Sequence, residues 1–106
     1  ENLTAIIDYN KLQSYGPVDL VLPMEPLAEK WRSFGFHVIE IDGHDCAALA
    51  HAFGPLSWKG GKPRMVICHT VKGKGISFAE NVPEWHHKSK LSVQELEAMY
   101  TCLGGA

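Results

Sequence analysis

Two stretches of this 106-residue chain carry residue types that could bind an anion or a metal ion. In the stretch 72–75, Lys72 and Lys74 alternate with glycines. Such a loop can bind an anion such as phosphate, although most loops of this kind are merely solvated. The second stretch contains the adjacent histidines His86 and His87, a residue type that can bind a metal ion.

Asn10 is a third candidate, because it follows an apolar run at the point where a strand should open into a loop. An isolated asparagine at a strand end is more often a turn residue that makes local backbone hydrogen bonds than a metal ligand. Transition-metal binding is not indicated, since His86 and His87 are adjacent and neither they nor His69 have a cysteine or carboxylate at ligand spacing. The pattern leaves Asn10 open to both interpretations.

The cysteines indicate neither a disulfide framework nor a structural zinc site, because they are odd in number and form no C-x-x-C pair. We expect them to be small buried apolar side chains in a reducing compartment. They are Cys46, Cys68 and Cys102.

Three apolar runs, at 3–7, 36–41 and 65–68, predict the strands that position these candidates. The third run is continuous, which is typical of a parallel strand buried on both faces. The stretch 11–23 contains glycine and prolines without a sustained period and predicts a loop.

Helical spacing predicts a helix at 25–34 that Gly35 ends, and a second helix that Asp45 caps. Ser92 and Glu95 form a capping box for a third helix. One face of the second helix is expected to carry Cys46, Leu49, Ala50 and Phe53. The expected core positions on the helices are Trp31, Phe34, Phe53 and Met99.

The order strand, helix, strand, helix, strand predicts an α/β fold with a small parallel sheet of about three strands and crossover helices. A chain of 106 residues forms one domain, so we assign 1–106 to a single unit. Ligands of such sheets bind at the carboxyl ends of the strands. The loops after Asn10 and Thr70 are therefore the candidate site.

The net charge of −2 gives no general attraction to nucleic acid, and no apolar stretch approaches the length of a membrane span. We expect a cytoplasmic protein that binds neither nucleic acid nor membrane.

Consecutive blocks of the chain closely resemble the pyrophosphate-binding domain of transketolases, and most of all the N-terminal subunits of split transketolases. The blocks are 2–13, 25–27 with 30–31, 34–35, 41–45, 70–78 and 85–86. The resemblance covers nearly the whole chain and implies part of a thiamine-diphosphate-binding fold. A complete enzyme of this family would transfer a two-carbon ketol unit between sugar phosphates.

The resemblance implies that Asn10 provides a side-chain oxygen, and Leu12 a backbone carbonyl, to the Mg²⁺ or Ca²⁺ that bridges the diphosphate to the protein. His86 matches a histidine beside cofactor and substrate that helps to move protons, and Lys72 is a candidate phosphate contact. The family usually has glycine after that histidine, whereas this chain has His87.

The Gly-Asp-Gly motif that provides the metal-binding aspartate is expected upstream of Glu1. The glutamate that activates thiamine is expected from another domain or polypeptide. We therefore expect the chain alone to be inactive, and to self-associate or bind a complementary transketolase chain that hides its apolar strands. The alternative is a non-catalytic binding or interaction module that retains part of the fold.

Overall fold

The computed structural model describes residues 2–14, 16–54 and 60–104. It confirms the predicted α/β fold with a parallel three-stranded sheet, in the order β1–β5–β4. The elements in chain order are β1 (Thr4–Tyr9), β2 (Leu12–Gln13), β3 (Gly16–Pro17), α1 (Val18–Val21), α2 (Leu27–Ser33), β4 (His37–Asp42), α3 (Cys46–Phe53), β5 (Arg64–His69), a 3₁₀ turn (Pro83–Trp85) and α4 (Val93–Cys102).

The central strand β5 is the most deeply buried element, as its continuous apolar run predicts. Its residues Met65, Val66, Ile67 and Cys68 are all buried. It pairs in parallel with β1 on one side and β4 on the other, so that the three strands end together at Tyr9, His69 and Asp42. This common edge positions the candidate site.

Each face of the sheet packs against different helices. On one face, Leu27 of α2 forms a core with Tyr9, Met65 and Ile67. On the other face, Ala52 of α3 packs with Val66 and Cys68. The side chains of β5 alternate between the two cores, as expected for a strand covered on both faces.

The face predicted for α3 is partly wrong. Leu49 and Ala52, three residues apart, face the sheet, whereas Phe53 is 41% exposed. Cys46 also lies on the outer side and is exposed. An eight-residue helix can place either of two adjacent stripes against a sheet, and small Ala52 permits the closer approach.

Two further burial predictions are also wrong. Phe34 is 74% exposed because α2 ends at Ser33, so Phe34 lies in the turn before Gly35 instead of on the helix face. Cys102 is exposed on α4, and only Cys68 among the cysteines is buried.

The stretch predicted as a loop, 11–23, contains the antiparallel pair β2–β3 and the single-turn helix α1.

Candidate functional site

Hydrogen bonds join the carboxyl ends of all three sheet strands. The Thr70 backbone N–H donates to the Tyr9 carbonyl at 3.4 Å, and the Thr70 hydroxyl donates to Asp8. The Val71 N–H donates to His44 Nε2 at 2.8 Å, which connects the turn after β4 to the segment after β5. The loops that follow Asn10 and Thr70 therefore lie side by side, as the parallel topology predicts.

A cleft of about 520 Å³ opens between these loops, and both predicted metal-binding residues, Asn10 and Leu12, line it. Its other lining residues are Tyr9, Lys11, Pro17, Val18, Asp19, Glu25, Thr70, Val71 and Asn81. Lys72 and His86 are not among the residues of the described structure that line this cleft, although Val71 immediately precedes Lys72.

Asn10 adopts the local turn that its residue type favours. Its side-chain Oδ1 accepts a hydrogen bond from the Leu12 N–H at 2.9 Å, and Lys11 between them has a positive φ of 65°. An amide oxygen has two lone pairs, so this bond leaves acceptor capacity on Oδ1. The turn holds the Asn10 amide oxygen against the backbone N–H of Leu12.

Tyr9 and Glu25 form a wall of the cleft that the sequence did not predict. The buried Tyr9 hydroxyl donates to Glu25 Oε1 at 2.7 Å, and the Leu27 N–H donates to Glu25 Oε2 at 2.9 Å. These two donors lower the pKa of Glu25, while desolvation and the neighbouring carboxylate raise the pKa of Tyr9 to about 12. One carboxylate thus connects the end of β1 to the start of α2.

A second polar chain runs from Lys11 across the end of β5. Lys11 Nζ lies 3.0 Å from the centroid of the Tyr9 ring and 3.1 Å from His69 Nδ1. Because an ammonium group only donates, His69 Nδ1 is the acceptor and its Nε2–H donates to Glu40 at 3.1 Å. Desolvation lowers the pKa of Lys11.

The glycine-rich loop folds back on itself because Gly73 has no side chain. A Cβ on Gly73 would lie 2.7 Å from the Ala79 carbonyl oxygen, and its φ is +77°. Lys74 Nζ lies 3.9 Å from Glu80. Of the two lysines that could contact an anion in this loop, Lys74 lies next to a carboxylate.

Lys72 lies close enough to His86 for its positive charge to disfavour the protonated imidazole. Desolvation, and then the charges of Lys72 and His87, lower the pKa of His86. His86 Nδ1 is buried and has no hydrogen-bond partner among the described residues. The ring of His87 packs against His86 at 4.6 Å, and its Nε2 lies 2.8 Å from the hydroxyl of Ser14. His87 thereby links the 83–87 segment to the loop after β1.

Within residues 2–14, 16–54 and 60–104, no group of three or more His, Cys, Asp or Glu side chains could hold a metal ion. In the same residues, no helix is long and apolar enough to span a membrane.

Comparison with known proteins identifies the same family throughout the chain. The family model "Transketolase, thiamine diphosphate binding domain" matches residues 1–106. One subunit of the apulose-4-phosphate transketolase of Phocaeicola vulgatus is 36% identical over 99 residues, which are 93% of this chain and 35% of that subunit. Human transketolase is 33% identical over 104 residues, which are 95% of this chain and 16% of that enzyme.

A third relative is the 6-deoxy-6-sulfo-D-fructose transketolase subunit SqwG of a Clostridium species, which is 41% identical over 103 residues. The match covers 92% of this chain and 38% of that subunit. The chain thus spans about a third of the length of the two subunits. It belongs to the transketolase thiamine diphosphate binding domain family.

Proposed function

We propose that this chain forms the metal-binding side of a thiamine diphosphate site in an enzyme that transfers a two-carbon ketol unit between sugar phosphates. One observation carries the proposal: in a member of this family, Asn10 and Leu12 line the same cleft at the carboxyl end of β1. This is the edge where parallel α/β sheets bind their ligands.

Asn10 and Leu12 would hold Mg²⁺ or Ca²⁺ through an amide oxygen and a backbone carbonyl. Both are hard oxygen donors, so they fit these cations in type. Two donors are fewer than the six or more such cations take, and the 106 residues contain no Gly-Asp-Gly. The remaining ligands would come from the diphosphate, water and the polypeptide that carries that motif.

His86 would transfer a proton to or from the reacting groups, and Lys72 would contact the phosphate groups of the cofactor. The lowered pKa of His86 favours the neutral imidazole at pH 7, which can accept a proton at its free nitrogen. Lys72 would neutralise negative charge on the diphosphate, which it can do as a point charge. Thiamine diphosphate, when bound, supplies the electron sink for the carbanion chemistry.

We propose that a complementary transketolase chain completes the site. Two relatives are named as transketolase subunits, and their names specify apulose 4-phosphate and 6-deoxy-6-sulfofructose. Both names describe ketoses that carry an anionic group. A phosphorylated ketose is therefore the donor we propose here.

The test is ketol transfer from a ketose phosphate to an aldose phosphate, by this chain assembled with polypeptides that carry Gly-Asp-Gly and the activating glutamate. We expect His86→Ala to lower kcat with little change in cofactor affinity, and Asn10→Ala to raise the cofactor and Mg²⁺ concentrations needed for turnover. Asn2→Ala is the matched control, because the exposed Asn2 precedes β1 at the edge of the sheet opposite to the cleft. Equal effects of the His86 and Asn10 changes on cofactor affinity, with no effect on turnover, would contradict these roles.

A further inference from the structure

The backbone of His86 is held by a hydrogen bond, whereas the Nδ1 atom of its ring is not. The His86 N–H donates to the Pro83 carbonyl at 2.9 Å, at the end of the 3₁₀ turn. Nδ1 is buried, and no residue in the described part of the chain bonds it. The state of a histidine ring is commonly set by the hydrogen bond that one of its nitrogens makes. At His86, packing against a neighbouring ring must therefore determine the orientation.

The ring that packs against His86 is that of His87. The two ring centroids are 4.6 Å apart and the ring planes lie at 79° to each other. This is the edge-to-face arrangement that aromatic rings favour. Glycine, which the family usually has at this position, would leave the His86 ring without that contact.

The His87 ring is itself held from outside the 83–87 segment. Its Nε2 lies 2.8 Å from the hydroxyl of Ser14, a residue 73 positions away in the sequence. A hydroxyl can both donate and accept, so this bond can form with either the neutral or the charged imidazole. Ser14 follows Leu12 by two residues. The loop that carries the proposed metal donors therefore also fixes the position of His87.

Contacts on either side of the two histidines hold the main chain of the segment in place. The Trp85 ring packs against Phe78, with centroids 5.3 Å apart. Lys88 Nζ lies 4.2 Å from the centroid of the Trp85 ring and pairs with Glu95 of α4. With the main chain held on both sides, the side chain of His86 is the part of the segment that His87 controls.

We propose that His87 is a positioning residue for His86, which it holds by edge-to-face packing while its own ring is bonded to Ser14. The inference rests on the proton-transfer role proposed for His86. In this arrangement, Ser14 and His87 affect ketol transfer only through His86. A small displacement of the His86 ring from its reaction geometry would lower kcat.

The first test uses the full 106-residue chain and needs no cofactor. After desolvation, the charges of Lys72 and His87 lower the pKa of His86, so we expect His87→Ala to raise that pKa in an NMR titration of the imidazole protons. We expect Ser14→Ala to change the chemical shifts of the His86 ring, and Ser14→Thr, which keeps a hydroxyl, to preserve them. His51→Ala is the control, because His51 is exposed on α3 and should affect neither measurement.

The second test measures ketol transfer by the complete assembly. We expect Ser14→Ala and His87→Ala each to lower kcat by about five- to tenfold, the order expected for loss of one hydrogen bond, with unchanged cofactor affinity. Ser14→Thr should keep the native kcat. Substitutions that act through one residue are not additive, so His87→Ala should lower kcat no further in a chain that already carries His86→Ala.

Three results would overturn the inference. They are a native pKa of His86 in the His87→Ala chain, native His86 ring shifts in the Ser14→Ala chain, and the same loss of kcat from His87→Ala whether or not His86 is present. If His86→Ala alone leaves turnover unchanged, the proton-transfer role of His86 is wrong. The NMR measurements on the 106-residue chain then still decide whether His87 positions the His86 ring.

Discussion

The hydrogen bond between Tyr9 and Glu25 predicts an asymmetry between two substitutions. Glu25→Ala leaves the Tyr9 hydroxyl without its acceptor in a side chain only 8% exposed, and also removes the acceptor of the Leu27 N–H. A stranded buried polar group costs about 1–3 kcal/mol. Tyr9→Phe leaves the Glu25 carboxylate exposed to water, which can replace the lost donor. The free energy of unfolding then falls only by the net contribution of one hydrogen bond, about 1 kcal/mol.

We therefore expect Glu25→Ala to lower the free energy of unfolding by about 2 kcal/mol and Tyr9→Phe by about 1 kcal/mol. In a domain of this size, about 1 kcal/mol shifts the melting temperature by roughly 4–8 °C. Urea unfolding followed by tryptophan fluorescence measures the free energy of unfolding of the two variants. Tyr100→Phe, at an exposed tyrosine, is the control. A larger loss for Tyr9→Phe than for Glu25→Ala would refute the reasoning.

The same pair gives stability a signed dependence on pH. The folded-state pKa of Glu25 is lowered, so its contribution is present above the unfolded-state pKa and is lost as the pH falls through the folded value. The pKa of Tyr9 is raised to about 12, so its contribution is present below its ordinary value of 10.0 and is lost as the pH rises from there to about 12. Glu25→Gln should flatten the acid side of the stability profile, and an unchanged profile would contradict this assignment.

Three further predictions concern the loop, the last helix and activity. Gly73→Ala should destabilise the chain by about 2–4 kcal/mol, because it adds a contact with the Ala79 carbonyl to the strain of positive φ. Gly60→Ala, with positive φ but open space, should cost less in the same urea unfolding assay, and equal losses would remove the contact argument. Ser92→Ala should lower the free energy of unfolding by about 1 kcal/mol, because it breaks the capping box with Glu95. Unchanged helicity and stability of this variant would contradict the prediction. The purified chain with thiamine diphosphate and Mg²⁺ should show no ketol transfer, and measurable turnover of a ketose donor would disprove the incomplete-site argument.

The strands could be predicted because a strand that is buried in the sheet requires a run of apolar residues in the sequence. The continuous run from Met65 to Cys68 indicates a strand covered on both faces, and β5 is that strand. Gly35 marks the end of α2 because its φ of +86° suits glycine. The parallel order then brings the loops after Asn10 and Thr70 together, and the structure places them at one cleft.

The parts that could not be predicted depend on distance in sequence or on small rotations of a helix. The bond from Tyr9 to Glu25 joins residues 16 apart, and no local pattern marks it. Phe53 suits the core by helical spacing, yet the neighbouring stripe with Ala52 faces the sheet. Periodicity reports that a helix has an apolar side, while packing against β5 decides which part of that side is buried.

The central claim is that Asn10 contributes to a metal-dependent thiamine diphosphate site. Its direct test is a calorimetric titration of thiamine diphosphate, with and without Mg²⁺, into the complete assembly that contains either this chain, Asn10→Ala or Asn2→Ala. We predict Mg²⁺-dependent binding that the Asn10 change weakens by at least about tenfold, or roughly 1.4 kcal/mol, while Asn2→Ala leaves it unchanged. Equal Mg²⁺-dependent affinity for the native chain and Asn10→Ala would contradict the account.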